Sequence, residues 1–318
     1  MSRHSRRRFD DDDFTLDQRY LGVADNRFAT ADNRFATADD LPDSRTLQPT
    51  AARDDPDPDE PDWSTYPDAA HGPQPVPRWV IVSPAADDDD LGVLKTGKEA
   101  EVSLLRRSLD GRHNLLAVKR YRGADHRLFH RDSGYLEGRS VRRSREMRAM
   151  QTRTAFGRDL IAGQWAAAEF AVLSQLWVAG AAVPYPVQLL ETELMMEFIG
   201  DEHGVAAPRL AQLKPTPAEA RGLFEQMRSV LSVLSQAGYT HGDLSPYNVL
   251  VDNGRLVLID LPQAVDLVGN PQALDYLRRD CANICHWFRA RGVTADPGEL
   301  CNHLLDAAPG FDDMHHDT

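Results

Sequence analysis

Cysteine is scarce in this sequence, with three in 318 residues. Cys281 and Cys285 stand four apart on an expected helix, and Cys301 stands elsewhere, so neither a disulfide framework nor a thiolate zinc site is expected. The thiols are read as buried and reduced. No apolar run approaches the roughly 18 residues that a membrane span needs, so no membrane partner is expected. Arg6, Arg7 and Arg8 lead into Asp10 to Asp13 rather than into an apolar core, which argues against a secretory leader and for a cytoplasmic location. Positive charge is also short. Lys and Arg number 36 against 49 Asp and Glu, a formal net charge of −13, and that excludes broad, non-specific nucleic-acid binding by the whole chain. Aliphatic residues are few over residues 1–77, which read as a disordered acidic tail. In that tail Ala24–Thr30 (ADNRFAT) recurs at once as Ala31–Thr37. Two short copies cannot build a solenoid, which leaves a duplicated segment or a docking motif on Phe28 and Phe35. Asp87 to Asp90 read as solvated carboxylates on a linker.

What is present gathers around His241-Gly242-Asp243-Leu244-Ser245-Pro246-Tyr247-Asn248. Val249 to Val251 read as a strand, Asn253-Gly254 as a tight turn, and Leu256 to Ile259 as the return strand. A hairpin sets its open ends side by side. Asn248 enters and Asp260 leaves, with Asp243 on the loop before them, so three oxygen-bearing groups can face one point. Such a set can hold Mg²⁺ on a triphosphate while a separate carboxylate meets an attacking hydroxyl. An ordinary polar loop before a hairpin is the bland alternative.

Upstream, structure is expected from about Trp79. Leu94 to Leu104 reads as strand, tight turn at Gly97-Lys98, strand. The turn can lay backbone N–H groups over phosphates, which makes Lys98 a candidate nucleotide contact. It lacks the spacing of a Walker A loop. Leu115 to Tyr121 reads as a strand with Ala117 and Lys119 on one face, leaving room for an adenine ring beside an ammonium. Residues 123–163 are polar and Arg-rich, with seven arginines from Arg139 to Arg158. They read as a solvated helix and loop, or as a contact for RNA or an acidic protein. Ser140, Ser144, Thr152 and Thr154 lie there as candidate phosphoacceptors.

Residues 164–178 form an amphipathic helix whose apolar stripe of Trp165, Val172, Leu173 and Leu176 also carries Glu169. A carboxylate on a buried face needs a cation, and Lys119 is the candidate. A hairpin over residues 187–198 runs into Ile199-Gly200, which suits a hinge. Helices are expected at 216–238, opened by Thr216-Pro217-x-Glu219, at 271–290 and near 297–307.

Taken together, these segments resemble the RIO family of atypical serine/threonine protein kinases, nearest to its RIO1-like branch. The motifs are Thr96-Gly97-Lys98-Glu99-Ala100, Ala117-Val118-Lys119, Trp165 to Phe170, Val183 to Pro186, Met196 to Gly200, His241 to Asn248 and Ile259 to Gln263. The resemblance implies an α+β, two-lobed kinase-like fold, with a small mainly-β N-lobe near 78–196 and a mainly-α C-lobe near 200–308. Residues 309–318 would trail loosely. It implies ATP and Mg²⁺, with Mn²⁺ as a substitute. Lys119 would contact the phosphates and be held by Glu169. The backbones of Glu197 and Ile199 would meet the adenine. Asp243 would accept the hydroxyl proton, Asn248 and Asp260 would hold the metal, and Asp260 could carry a phospho-aspartate.

Leu261-Pro262 follows Asp260, and few residues separate it from the helix at Pro271. A truncated activation segment is therefore expected, which turns the expectation toward self-phosphorylation or an ATPase switch and leaves the protein substrate open. A small-molecule phosphotransferase resembling the aminoglycoside kinases is one alternative. A non-catalytic nucleotide-binding scaffold in a ribosome or RNA setting is another.

Overall fold

The computed structural model describes residues 63–122 and 155–309. The ADNRFAT repeat, the candidate phosphoacceptors, the Arg-rich stretch as far as residue 154 and the residues from 310 onward lie outside them.

The N-lobe is one six-stranded antiparallel sheet in the order β1-β5-β6-β4-β3-β2. Its strands are β1 (Ala70–His71), β2 (Asp87–Thr96), β3 (Ala100–Leu109), β4 (Arg112–Tyr121), β5 (Pro186–Leu190) and β6 (Glu193–Glu197). Helix α1 (Ala155–Val178) lies against β4, β5 and β6. It begins well before the expected residue 164, and it buries Phe170, Val172, Leu173 and Leu176.

Two readings are corrected at the N-terminal end. The folded part does not begin near Trp79. Trp63 bridges Asp87, and β1 pairs with β5 through Ala70–Leu189 and His71–Gln188. Tyr66 stacks on His71 at 4.1 Å and enters a cluster with Leu105, Leu116 and Val118 on the back of the sheet. Burying a large apolar side chain is worth roughly 1.5–3 kcal/mol, enough to recruit a short polar segment. Asp87 to Asp90 are not a solvated linker either, because they open β2. Asp88 takes both arms of the fully buried Arg107 at 2.7 Å, and the same guanidinium reaches Gln188 at 3.0 Å. Weak strand propensity gave way to a bidentate charge pair.

The C-lobe holds α2 (Pro217–Gln236), α3 (Ala273–Arg289) and α4 (Pro297–Ala307). Thr216 and Glu219 close the capping box that starts α2. The hairpin β8 (Val249–Asp252) and β9 (Arg255–Leu258) turns at Asn253 and Gly254, both at positive φ as a two-residue turn of this kind requires. The short strands β7 (Tyr239–Thr240) and β10 (Val265–Asp266) pair with each other. Only residues 261–272 connect Asp260 to α3, so the activation segment is short. Cys281, Cys285 and Cys301 are free and buried in the C-lobe core. Among the described residues no helix is long and apolar enough to cross a membrane.

Candidate active site

Between the lobes lies a cleft of about 710 Å³. Its walls include Lys98, Lys119 and Glu169 from above, Glu197 and Ile199 from the connection, and Asp260 from below. These six were expected from the sequence, and the fold brings them to one place.

Lys119 sits near the end of β4 with Ala117 on the same face, as strand alternation requires. Its ammonium lies 2.9 Å from Glu169 Oε1 and 2.6 Å from Asp260 Oδ1. Glu169, 1% exposed, is the hub above the cleft. Besides Lys119 it accepts from the Leu261 backbone N–H at 3.0 Å and from the Tyr121 hydroxyl. Burial alone would lower the Lys119 pKa, yet Glu169 and Asp260 together raise it above the ordinary lysine value. Burial likewise pushes the Asp260 carboxyl up. Lys119, by charge and hydrogen bond, then Lys95 and His241 by charge, override it and hold Asp260 below the usual carboxylate range. The Tyr121 phenol is raised by burial and then by Glu169, so it stays a donor.

The catalytic-loop candidates stand beside this cleft and are not among the residues lining it. Asn248 donates Nδ2 to the Asp243 carbonyl at 2.9 Å, and its own carbonyl accepts from Ile259 N–H at 3.0 Å. Asp243 is thus tied to Asn248, and Asn248 to Ile259, the residue before Asp260, while the Asp243 side chain is exposed. Gly242 has φ +79°, and a Cβ there would meet the Gln263 carbonyl oxygen at 2.2 Å, so the loop requires glycine.

What fixes this loop was missed. Asp280 on α3, 2% exposed, accepts from Thr240 Oγ1 at 2.9 Å, Gly242 N–H at 2.7 Å and Leu244 N–H at 2.9 Å. Asn283 adds a bond to the Leu244 carbonyl at 3.2 Å, and Arg279 donates to the Gly242 carbonyl. Asp280 falls three residues after Leu277 and one before Cys281, on the apolar stripe of α3. That is the same signal that pointed to Glu169.

At the lobe connection the Ile199 carbonyl accepts from Ala207 N–H at 3.0 Å, and among the described residues no backbone bond takes the Ile199 N–H. Among the described residues no three His, Cys, Asp or Glu side chains form a metal cage. The Asn248 bond fixes its amide with Oδ1 as acceptor, and the second oxygen of Asp260 is not taken by Lys119. Two hard oxygen donors of this kind fit Mg²⁺, which takes one or two side-chain oxygens and completes its shell with phosphate and water.

The comparisons with known proteins agree with this geometry. A family model of the RIO domain matches residues 110–300. The RIO-type serine/threonine-protein kinase Rio1 of Haloferax volcanii is 36% identical over 212 residues, 66% of this chain and 66% of that one. The serine/threonine-protein kinase rio1 of Schizosaccharomyces pombe is 33% identical over 202 residues, 62% of this chain and 38% of its own length. The chain therefore spans from 38% to 66% of the lengths of these two relatives. Among solved structures, the Rio2 kinase–ADP/Mg²⁺–phosphoaspartate complex from Chaetomium thermophilum superposes with a TM-score of 0.51 at 21% identity, covering 69% of this chain and 61% of that one. That likeness gives the two-lobed kinase-like fold. With the family model matching more than half of its length, the chain belongs to the RIO domain family, in its RIO1-like branch.

Proposed function

We propose that the chain is a Mg-ATP-dependent atypical serine/threonine protein kinase that phosphorylates itself, with ATP hydrolysis as a second output. The observation that carries this reading is the chain of charges Glu169–Lys119–Asp260, which joins the two lobes across the cleft at 2.9 and 2.6 Å. An ammonium held between two carboxylates is positioned to meet phosphate oxygens when a nucleotide enters. The adenine edge would meet the Glu197 carbonyl and the Ile199 N–H.

Asn248 and Asp260 would hold Mg²⁺, which supplies charge neutralisation on the β- and γ-phosphates; Mn²⁺ suits the same oxygens. Asp243, exposed at the end of a loop fixed by Asp280, would accept the proton of the acceptor hydroxyl. The hydroxyl oxygen would bond to the γ-phosphorus as the bond to the β-phosphate oxygen breaks, and ADP would leave. The Asp260 carboxylate is the candidate for a transient acyl phosphate, the species named for the Chaetomium Rio2 complex. The free thiols Cys281, Cys285 and Cys301 support a reducing, cytoplasmic location. The Arg-rich stretch 139–158 is the candidate contact for RNA or ribosome, and it would bind with strong salt dependence.

The test uses the full chain with γ-labelled ATP and Mg²⁺, beside Asp243→Asn and Asp260→Asn. Acid-stable label that is lost in both variants supports the autokinase. Hydroxylamine-labile label kept by Asp243→Asn and lost by Asp260→Asn, with phosphate release by the wild type, supports the ATPase cycle. Neither label nor phosphate in the wild type overturns the proposal.

A further inference from the structure

The geometry points to Lys95 as a second ammonium for the phosphate tail of the nucleotide, set opposite Lys119 by a break in strand β2. This inference rests on the nucleotide reading above and adds a contact that neither the sequence motifs nor the comparisons name.

Three observations carry it. The first is register. Val93 pairs with Ser103, so a regular strand would set Leu94 opposite Val102 and Lys95 opposite Glu101, on the far face. Instead a bulge at Leu94 sets Lys95 opposite Val102, and Val102 is paired in turn with Lys119. Directly paired residues share a face. Lys95, Val102 and Lys119 therefore form one row across three strands, all lining the cleft. Bulges commonly re-aim a side chain beside a site. Two strand spacings separate the ends of the row, about 10 Å, a width that suits an oligophosphate held from both sides.

The second is charge. Lys95 is exposed, and among the described residues no carboxylate forms an ion pair with it. It lines the same cleft as Asp260, the carboxylate that Lys119 meets at 2.6 Å. Lys95 thus presents an uncommitted ammonium to that cleft.

The third is residue choice. The chain has 36 basic residues but only four lysines, Lys95, Lys98, Lys119 and Lys214. Three of the four line this cleft. Nearly everywhere else the positive charge is arginine, a broad planar fork. A compact ammonium is the cation that acts as a point charge on phosphate in a narrow space. Lysine retained at three places around one cavity, in a chain that otherwise uses arginine, indicates a shared ligand.

The experiment is calorimetric titration of Mg-ATP and of adenosine into the full chain, as wild type, Lys95→Met and Lys214→Met. Lys95→Met is expected to weaken Mg-ATP about tenfold, the factor typical of one hydrogen bond to a charged group. Adenosine affinity stays unchanged, which also shows that the cleft has kept its shape. Lys214→Met, which removes the same charge outside the cleft, leaves both ligands unchanged. If Lys95→Met binds Mg-ATP as wild type does, or loses adenosine by the same factor, Lys95 is no phosphate contact. An equal loss in Lys214→Met would assign the effect to net charge and overturn the inference. A wild type that binds adenosine but not Mg-ATP, or neither, overturns the nucleotide reading itself, and Lys95 falls with it.

Discussion

Two buried carboxylates organise this molecule, one on each side of the cleft, and they work in different ways. Glu169 is met by a cation. Lys119 neutralises it, and Tyr121 and the Leu261 N–H complete its shell. Asp280 is met by neutral donors, the Thr240 hydroxyl and the amides of Gly242 and Leu244. The upper carboxylate positions another charge. The lower one positions backbone. A charge pair adapts to a new partner, because the ammonium can move to a phosphate and keep a counter-ion. Backbone amides have no such alternative inside a core. The region around Glu169 is therefore suited to change with ligand, and the region around Asp280 to stay fixed.

The contrast can be broken by substitution, and the largest effect belongs to the fixed side. Asp280→Ala strands the Thr240 hydroxyl and two buried amides, at a cost of about 4 kcal/mol. Chemical unfolding measures it, and a loss below about 1 kcal/mol would mean that the loop finds other acceptors. Lys119→Met ranks next. It leaves Glu169 buried without a cation, a loss of about 3 kcal/mol. Thermal unfolding measures it, and a variant as stable as the wild type would contradict the charge-pair account.

Tyr121→Phe removes one of three donors to Glu169 and leaves the cation, so about 1 kcal/mol is expected from the same unfolding measurement. Asp260→Asn is the mildest for stability. Position 260 has φ +66°, which asparagine tolerates, so the change removes charge and little else. The Asp260 side chain is 38% exposed, and solvent screening keeps the effect below about 1 kcal/mol. The folded carboxyl lies below its ordinary 3.8. The gap between wild type and variant is therefore fully present above that pH, and it closes as the pH falls through the lower folded value. A gap that closed already near neutrality would show that Lys119 does not hold Asp260.

How much of this was legible in the sequence follows from the kind of interaction. Glu169 with Lys119 could be read because each residue looks wrong alone, an acid on an apolar stripe and a lysine beside a small residue on a strand. The hairpin that delivers Asp260 could be read from Asn253-Gly254. Asp280 carried the same signal as Glu169, yet no cation elsewhere asked for it, since its partners are amides that every residue has. Asp88 was hidden in a run of four acids, where only the buried Arg107 distinguishes it from its neighbours. Lys95 was invisible for another reason. Its face depends on one extra residue in a strand, and a bulge leaves no mark in an alternating pattern.

The placing of the lysines has a consequence for covalent chemistry. Lys119 is buried and keeps its proton, so acylating reagents find it a poor nucleophile. Of the remaining side-chain amines, Lys95 and Lys98 stand at the mouth of the cleft, and Lys214 stands outside it. A brief treatment with an amine-reactive probe therefore has few targets. With Lys214 as the internal standard, the yield at the other two reports how often the cleft is filled, and no label on the nucleotide is needed.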